Sequence, residues 1–274
     1  MGLIAATLAA VAYAGASVLQ SRGAFGHGSA RELARSPYYL AGLGLDAVGW
    51  VLTLVALRDL PVYVVQAVLA SSLAFTVVIA WLWLKTGLRA RDVTAIGALA
   101  VALGVVGIAG REQAAPALGG GVALALTVAG VIVTALVVAA LVVPRRVSSA
   151  TLAVLAGLAY SGTALAARAV AVRSPLWHTL ASPLPWIVAA TGIAGTVAYA
   201  AALERGAVGP ATALLRAVEV VVPTVVAVPL LGDGVRAGWL VPLIVAVAVV
   251  VAASSVLAGA PTTADRQPVA GTLP

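Results

Sequence analysis

LAGLAYSGTALAAR (155–168) reads like an earlier piece of the same chain, LAAVAYAGASVLQSR (8–22). Tyr13 falls on Tyr160, Gly15 on Gly162, and Arg22 close to Arg168. Moving outward, VALRDL (55–60) lines up with AALERG (201–206), and GLRA (87–90) with GVRA (234–237). The offset stays at 146 to 147 residues throughout. Alanine- and valine-rich sequence aligns with itself easily, so one match would carry little weight. Three matches at a steady offset point to two copies of one unit.

The composition says what the unit is made of. Of 274 residues, 62% are hydrophobic and 9% charged, with mean hydropathy +1.12. A soluble domain usually carries about 25% charged residues. The chain therefore reads as a membrane protein. Its net charge of +7 comes from basic residues in short gaps between apolar runs. That placement is topology information rather than a nucleic-acid surface. Cysteine is absent, which excludes disulfides and thiolate metal sites. Two histidines, His27 and His178, fall in expected loops and are too few for a zinc site. Arginine dominates the basic residues, Lys85 being the one lysine, and Ala, Val and Gly abound; this bias suggests a high-GC bacterial genome.

A bilayer core about 30 Å thick needs roughly 20 apolar residues as helix. Nine runs qualify: 2–21, 37–57, 61–84, 92–110, 118–143, 149–171, 184–203, 207–231 and 236–258. The third and eighth are the ones expected to split or kink. The first run lacks a basic leader and is expected to stay as a helix. The tail 259–274 is polar with three prolines and is expected to be a disordered cytoplasmic segment. With the N-terminus outside, ten basic residues face the cytoplasm. Five face the other side: Arg58, Arg111, Arg168, Arg173 and Arg236. This bias favours an outside N-terminus and a cytoplasmic C-terminus.

Runs one to four (residues 1–117) recur as runs six to nine within 118–258. Five spans separate the equivalents, and because five is odd the two halves are inverted. Inverted repeats are a recurring plan of secondary transporters, with the solute site at the midplane between them. The expected fold is thus an all-α polytopic membrane protein of nine transmembrane helices.

Particular motifs sharpen this reading. The short hairpin ALRDLPVYVVQAVLASSLAF (56–75), and a third helix ending in a basic turn before GALAVALGVVGIAG (97–110), resemble the drug/metabolite transporter superfamily, EamA-like branch. That resemblance implies two inverted five-helix halves, here with the first helix missing. Nine helices, an outside N-terminus and GASVLQSRGA (15–24) are also similar to NIPA-like magnesium transporters. There are departures. Ser71–Ser72 and Lys85–Thr86 stand where the first pattern often has Pro and Gly-Glu. The second half keeps Pro223 and has Gly232–Asp233. Trp50 and Thr53 stand where the second pattern has polar and acidic groups.

Candidate site residues come from charge within the apolar runs. ATALLRAVEVVVPTVV (211–226) places Arg216 and Glu219 three apart, on one helix face near mid-depth. An unpaired charge there costs about 2.5–3.5 kcal/mol on insertion scales. Pro223 removes the amide that would bond the carbonyl of residue 219, so a local break beside Glu219 is expected. A solute or proton site and a structural ion pair between helices both fit. Asp46, in LAGLGLDAVGWVLTL (40–54), is the second buried acid and an alternative partner for Arg216. Gln66 heads a polar ladder with Ser71, Ser72 and Thr76, which equally suits helix packing. Tyr13 and Tyr160 occupy equivalent places and are candidates to line opposite walls of a cavity, or to pack between helices. Trp50, Trp81 and Trp83 read as core or interface anchors.

No nucleophile–base pair or phosphate-gripping loop appears in the sequence, so the expectation is a non-enzyme without cofactor or metal. It would be a secondary transporter of a small polar metabolite in the bacterial plasma membrane, working by alternating access and coupled to protons through Glu219 or Asp46. Its partners would be the small-molecule substrate and the lipid bilayer, with a homodimer left open and no nucleic acid. Alternatives are a divalent-cation carrier, a flippase for lipid-linked sugars, and a non-transporting scaffold subunit.

Overall fold

The computed structural model describes residues 1–24, 36–84, 89–110, 119–142, 147–170, 177–205 and 208–258. Among these residues the chain is almost wholly helical, and nine segments are long and apolar enough to cross a membrane. The helices are α1 (Gly2–Ala24), α2 (Pro37–Asp59), α3 (Val62–Ala70), α4 (Ser72–Leu84), α5 (Ala90–Ala109) and α6 (Gly120–Val142). They continue with α7 (Ser149–Ala169), α8 (Trp177–Leu180), α9 (Leu184–Arg205), α10 (Val208–Leu231) and α11 (Leu240–Ala258). Helix is what such apolar runs must form in lipid, because only a helix or a closed barrel pairs its backbone polar groups there. Local signals set the ends. Pro37 sits in the first turn of α2. The Ser148 hydroxyl accepts from the Thr151 amide at 3.1 Å to open α7.

The third run splits, as expected. At Ser71 the hydroxyl and the amide both turn back to the Val68 carbonyl, at 2.5 and 3.0 Å, and α4 starts afresh at Ser72. The eighth run does not: α10 stays helical through Pro223 and Pro229. A proline removes one amide donor, but packed neighbours hold a membrane helix together across the gap. The last helix begins at Leu240 rather than 236. Gly232 and Gly238 take φ of +66° and +78°, a conformation that suits glycine and turns the chain between α10 and α11. His178 lies in the four-residue α8. His27, Lys85 and the tail 259–274 lie outside the described residues.

Small residues let the helices approach, as expected where lipid supplies no hydrophobic drive between helices. Ala6, Ala9, Ala10, Ala14 and Ala16 are fully buried along α1. A Cβ on Gly157 would come within 2.7 Å of the Val218 Cβ and 2.9 Å of the Leu215 carbonyl, so α7 and α10 touch nearly backbone to backbone. Large apolar side chains such as Leu124, Ile193, Val225 and Ile244 are more than half exposed, forming the surface a bilayer would cover. In the first half α1 packs on α2, α3 and α4; in the second α7 packs on α6, α9 and α10. The halves meet where α3 lies on α10, α2 on α7, and α5 on α11.

Candidate functional site

Arg216 and Glu219 sit near the middle of α10 and pair with each other: Nη1 donates to Oε2 at 2.8 Å. The three-residue spacing puts them on one face, as the sequence suggested. Asp46 is not the partner of Arg216. Its carboxylate accepts from the Gln20 amide, which ties α2 to α1 inside the first half. The reason is placement, since Gln20 reaches Asp46 from the adjoining helix while Glu219 lies one turn from Arg216. The expected helix break beside Glu219 is also absent, since α10 continues unbroken. Protein surrounds the Arg216 guanidinium, yet a quarter of its side-chain surface and 11% of that of Glu219 remain accessible. A charged pair near the middle of a span with part of its surface accessible marks the candidate site. The buried Arg216 Nε has no hydrogen-bond partner among the described residues.

Three tyrosines come within electrostatic reach of this pair. Tyr13 of α1 feels Glu219, Arg216 and Asp46. Tyr160 of α7 and Tyr199 of α9 both lie near Arg216. The rings of Tyr13 and Tyr160 are held alike. Each covers a glycine of the next long helix: a Cβ on Gly49 or on Gly195 would stand 3.0 Å from the ring. Glycine is needed there so that the ring can lie flat on the neighbouring helix. The hydroxyls then meet threonines: Tyr13 with Thr53 at 3.5 Å, Tyr160 with Thr196 at 3.1 Å, and Tyr199 with Thr212 at 2.6 Å. The structure thus gathers Arg216, Glu219, Tyr13 and Tyr160, and leaves Asp46 at its margin beside Tyr13. Sequence reading missed Tyr199 and Thr212. The clue was available, because Thr212 lies about one helical turn before Arg216 on the same face.

The polar ladder of the third run is mostly spent on its own backbone. Ser71 donates to Val68 O, and Thr76 to Ser72 O at 2.8 Å. Gln66 is buried in α3, and its Oε1 has no partner among the described residues. It remains a candidate through α3, which packs on α10. Trp50 and Trp81 are nearly half exposed and face outward rather than inward. A groove of about 570 Å³ between α5 and α11 is lined by apolar residues, among them Gly97, Val101, Pro242 and Val245. It touches none of these charges.

A second charged cluster lies at one end of the bundle. Arg168, which sequence reading placed among the loop charges, is the last-turn arginine of α7 and is fully buried. Its Nη2 bonds Asp233 Oδ1 at 3.2 Å, and its Nη1 donates to the Leu57 carbonyl at 2.6 Å. Asp233 Oδ2 accepts from the Val62 amide at 2.7 Å, and the Tyr63 hydroxyl donates to Gly234 O at 3.0 Å. The tight Leu60–Pro61 connection explains the need. It leaves the last carbonyls of α2 and the first amides of α3 without helical partners, and Arg168 and Asp233 supply them. Burial pushes the Asp233 carboxyl above the usual carboxylate range, against the pull of the Val62 amide and the Arg168 guanidinium. The sequence hid this cluster because its two charges are far apart in the chain. Each looked like an ordinary end-of-helix residue.

Fold and charge placement define a polytopic helical membrane protein with ionic groups inside its spans. Comparison of the chain with protein-family models, with curated proteins and with solved structures finds no match.

Proposed function

We propose that this protein is a secondary transporter that carries a small polar solute across a membrane, with its site at the Arg216–Glu219 pair. The observation that carries the proposal is that pair: oppositely charged, at mid-depth, partly accessible, and approached by tyrosines from both halves. Intramembrane ionisable groups are costly to insert and rare, which makes each a functional-site candidate by default. Arg216 would hold an anionic or polar group through the part of its side chain that stays accessible. Glu219, or Asp46 beside Tyr13, would carry a coupling proton.

The two halves would move against each other around this site, as inverted repeats of the drug/metabolite transporter type do. The matching Tyr13–Gly49 and Tyr160–Gly195 contacts, 147 and 146 residues apart, support the repeat. The Lys/Arg distribution supports an outside N-terminus in a bacterial plasma membrane. Among the described residues no group of three or more acids and histidines gathers, so the divalent-cation reading gains no support of its own.

The test is uptake. Liposomes carrying the wild-type chain, Arg216→Ala or Glu219→Gln are exposed to an isotopically labelled mixture of polar metabolites. A subset should enter wild-type vesicles faster than protein-free ones, and both variants should lose that excess while still inserting. If folded wild-type protein admits nothing above the protein-free rate, the proposal fails.

A further inference from the structure

The hydrogen bonds that join the two halves among the described residues cluster at one end of the bundle. Arg168 and Asp233 belong to the second half. The groups they hold, Leu57 O and the Val62 amide, belong to the first. Tyr63 reaches Gly234 across the same seam. Beside it the Arg236 amide donates to Ala109 O at 3.0 Å, and Gly110 pairs with Val235 as an isolated antiparallel bridge. The first residues of α1 close over the same place: a Cβ on Gly2 would meet Leu60 Cγ at 2.8 Å and Asp59 Cβ at 2.9 Å. At mid-depth, by contrast, the charges pair within a half: Arg216 with Glu219 in α10, and Asp46 with Gln20 between α2 and α1.

A polar seam of this kind differs from an apolar one in how it can be used. Desolvation offsets much of the attraction within a buried pair, so Arg168–Asp233 adds little net stability over well-packed apolar residues. What it adds is a rigid donor–acceptor unit whose bonds across the seam, to Leu57 O and from the Val62 amide, form or break together. Parting the halves by a few ångströms breaks those bonds and leaves the pair intact within the second half, where water admitted by the same motion solvates both charges. Such a contact has two stable arrangements, which a gate needs. Glu219 precedes Leu231 by about twelve residues, or roughly 18 Å at 1.5 Å rise per residue. The seam therefore lies between the mid-depth site and one face of the membrane.

We propose that Arg168, Asp233, Val62 and Tyr63 form a releasable latch, closed in this structure, that seals the Arg216–Glu219 site from the face of the membrane on which Asp233 lies. The inference rests on the transport reading of that site. Its geometry alone, however, predicts an access change that can be read without any transported solute. Three other charged groups stand close by: Asp59 and the exposed Arg58 in the last turn of α2, and the exposed Arg236 beside the bridge. On the proposed orientation the latched face is the outer one.

The chain contains no cysteine, so a single introduced thiol reports without background. Thr53→Cys places one on α2 beside Tyr13, between the site and the latch. A membrane-impermeant thiol reagent is applied from the Asp233 face in three backgrounds: otherwise wild type, Asp233→Asn and Tyr63→Phe. Labelling should be slow in the first, at least tenfold faster with Asp233→Asn, and faster by a smaller factor with Tyr63→Phe. Tyr63→Phe removes one hydrogen bond and keeps the ring, so it decides the matter if Asp233→Asn does not fold. Unchanged labelling in the folded variants makes the cluster a static staple and overturns the latch. If that happens while wild-type liposomes still take up solute, the latch alone is refuted. If the latch variants open but no solute enters wild-type liposomes, the transport reading falls and the gated opening stands.

Discussion

Consider the consequence of separating Arg216 from Glu219. Removing one partner of a fully buried ion pair costs about 3–5 kcal/mol, whereas exposed pairs contribute about 0–1 kcal/mol. The pair in α10 stands between these limits, with a quarter of the Arg216 side chain and 11% of that of Glu219 accessible. An interaction energy of about 2 kcal/mol follows, nearer the buried limit because the 2.8 Å contact is charge-assisted and surrounded by protein. The two single variants should not be equivalent. Arg216→Ala strands a carboxylate, which can relieve itself by taking a proton. Glu219→Gln strands a guanidinium, which has no such relief and must find water through the accessible part of its surface. Glu219→Gln should therefore be the more costly change. The assay is a double-mutant cycle by equilibrium unfolding in mixed detergent micelles, with wild type, each single variant and the double. A coupling energy below about 0.5 kcal/mol would place the pair in the surface class and refute the argument that it is held inside the bundle.

Other outcomes follow from the packing and the topology. Gly157→Ala should destabilise by about 1–3 kcal/mol, because its Cβ would be forced against Leu215 O and Val218; Gly104→Ala, which faces open space, should be neutral or mildly stabilising, and thermal melts of the two compare them directly. Gly195→Ala should tilt the Tyr160 ring off α9 and lower solute uptake more than it lowers melting temperature. Gly232→Ala forces a side chain into a left-handed backbone at a cost of about 1–2 kcal/mol, and its melt should fall accordingly. A reporter fused after Ala264 should be active only in its cytoplasmic form; a signal from the opposite side would overturn the proposed orientation.

Much of the fold was legible because the bilayer imposes one simple rule: each span needs about 20 apolar residues. That rule located all nine candidate spans within a few residues at each end. It is blind to how a run is divided. Ser71 ends α3 by turning its own hydroxyl and amide onto Val68, whereas Pro223, the stronger breaker on paper, leaves α10 intact. The pair at the centre of the site was legible because its two members are local, three residues apart on one face. The latch was not. Arg168 was counted as a loop charge because it closes an apolar run, and its partner Asp233 is distant in sequence, so no periodicity links them. Tyr199 was passed over for a similar reason: only the packing of α9 beside α10, where its hydroxyl meets Thr212, brings it to Arg216.

The central claim is that Arg216 and Glu219 stand in a space that opens to the two sides of the membrane in turn. A single cysteine at Thr196, the partner of the Tyr160 hydroxyl, tests it in the otherwise cysteine-free chain. A membrane-impermeant thiol reagent is added to one side of sealed vesicles, then in a separate sample to the other. The account predicts labelling from both sides, fast from the face opposite Asp233 and slow from the Asp233 face. Labelling only by a membrane-permeant reagent would contradict it, because position 196 would then face lipid or closed packing rather than a solute path.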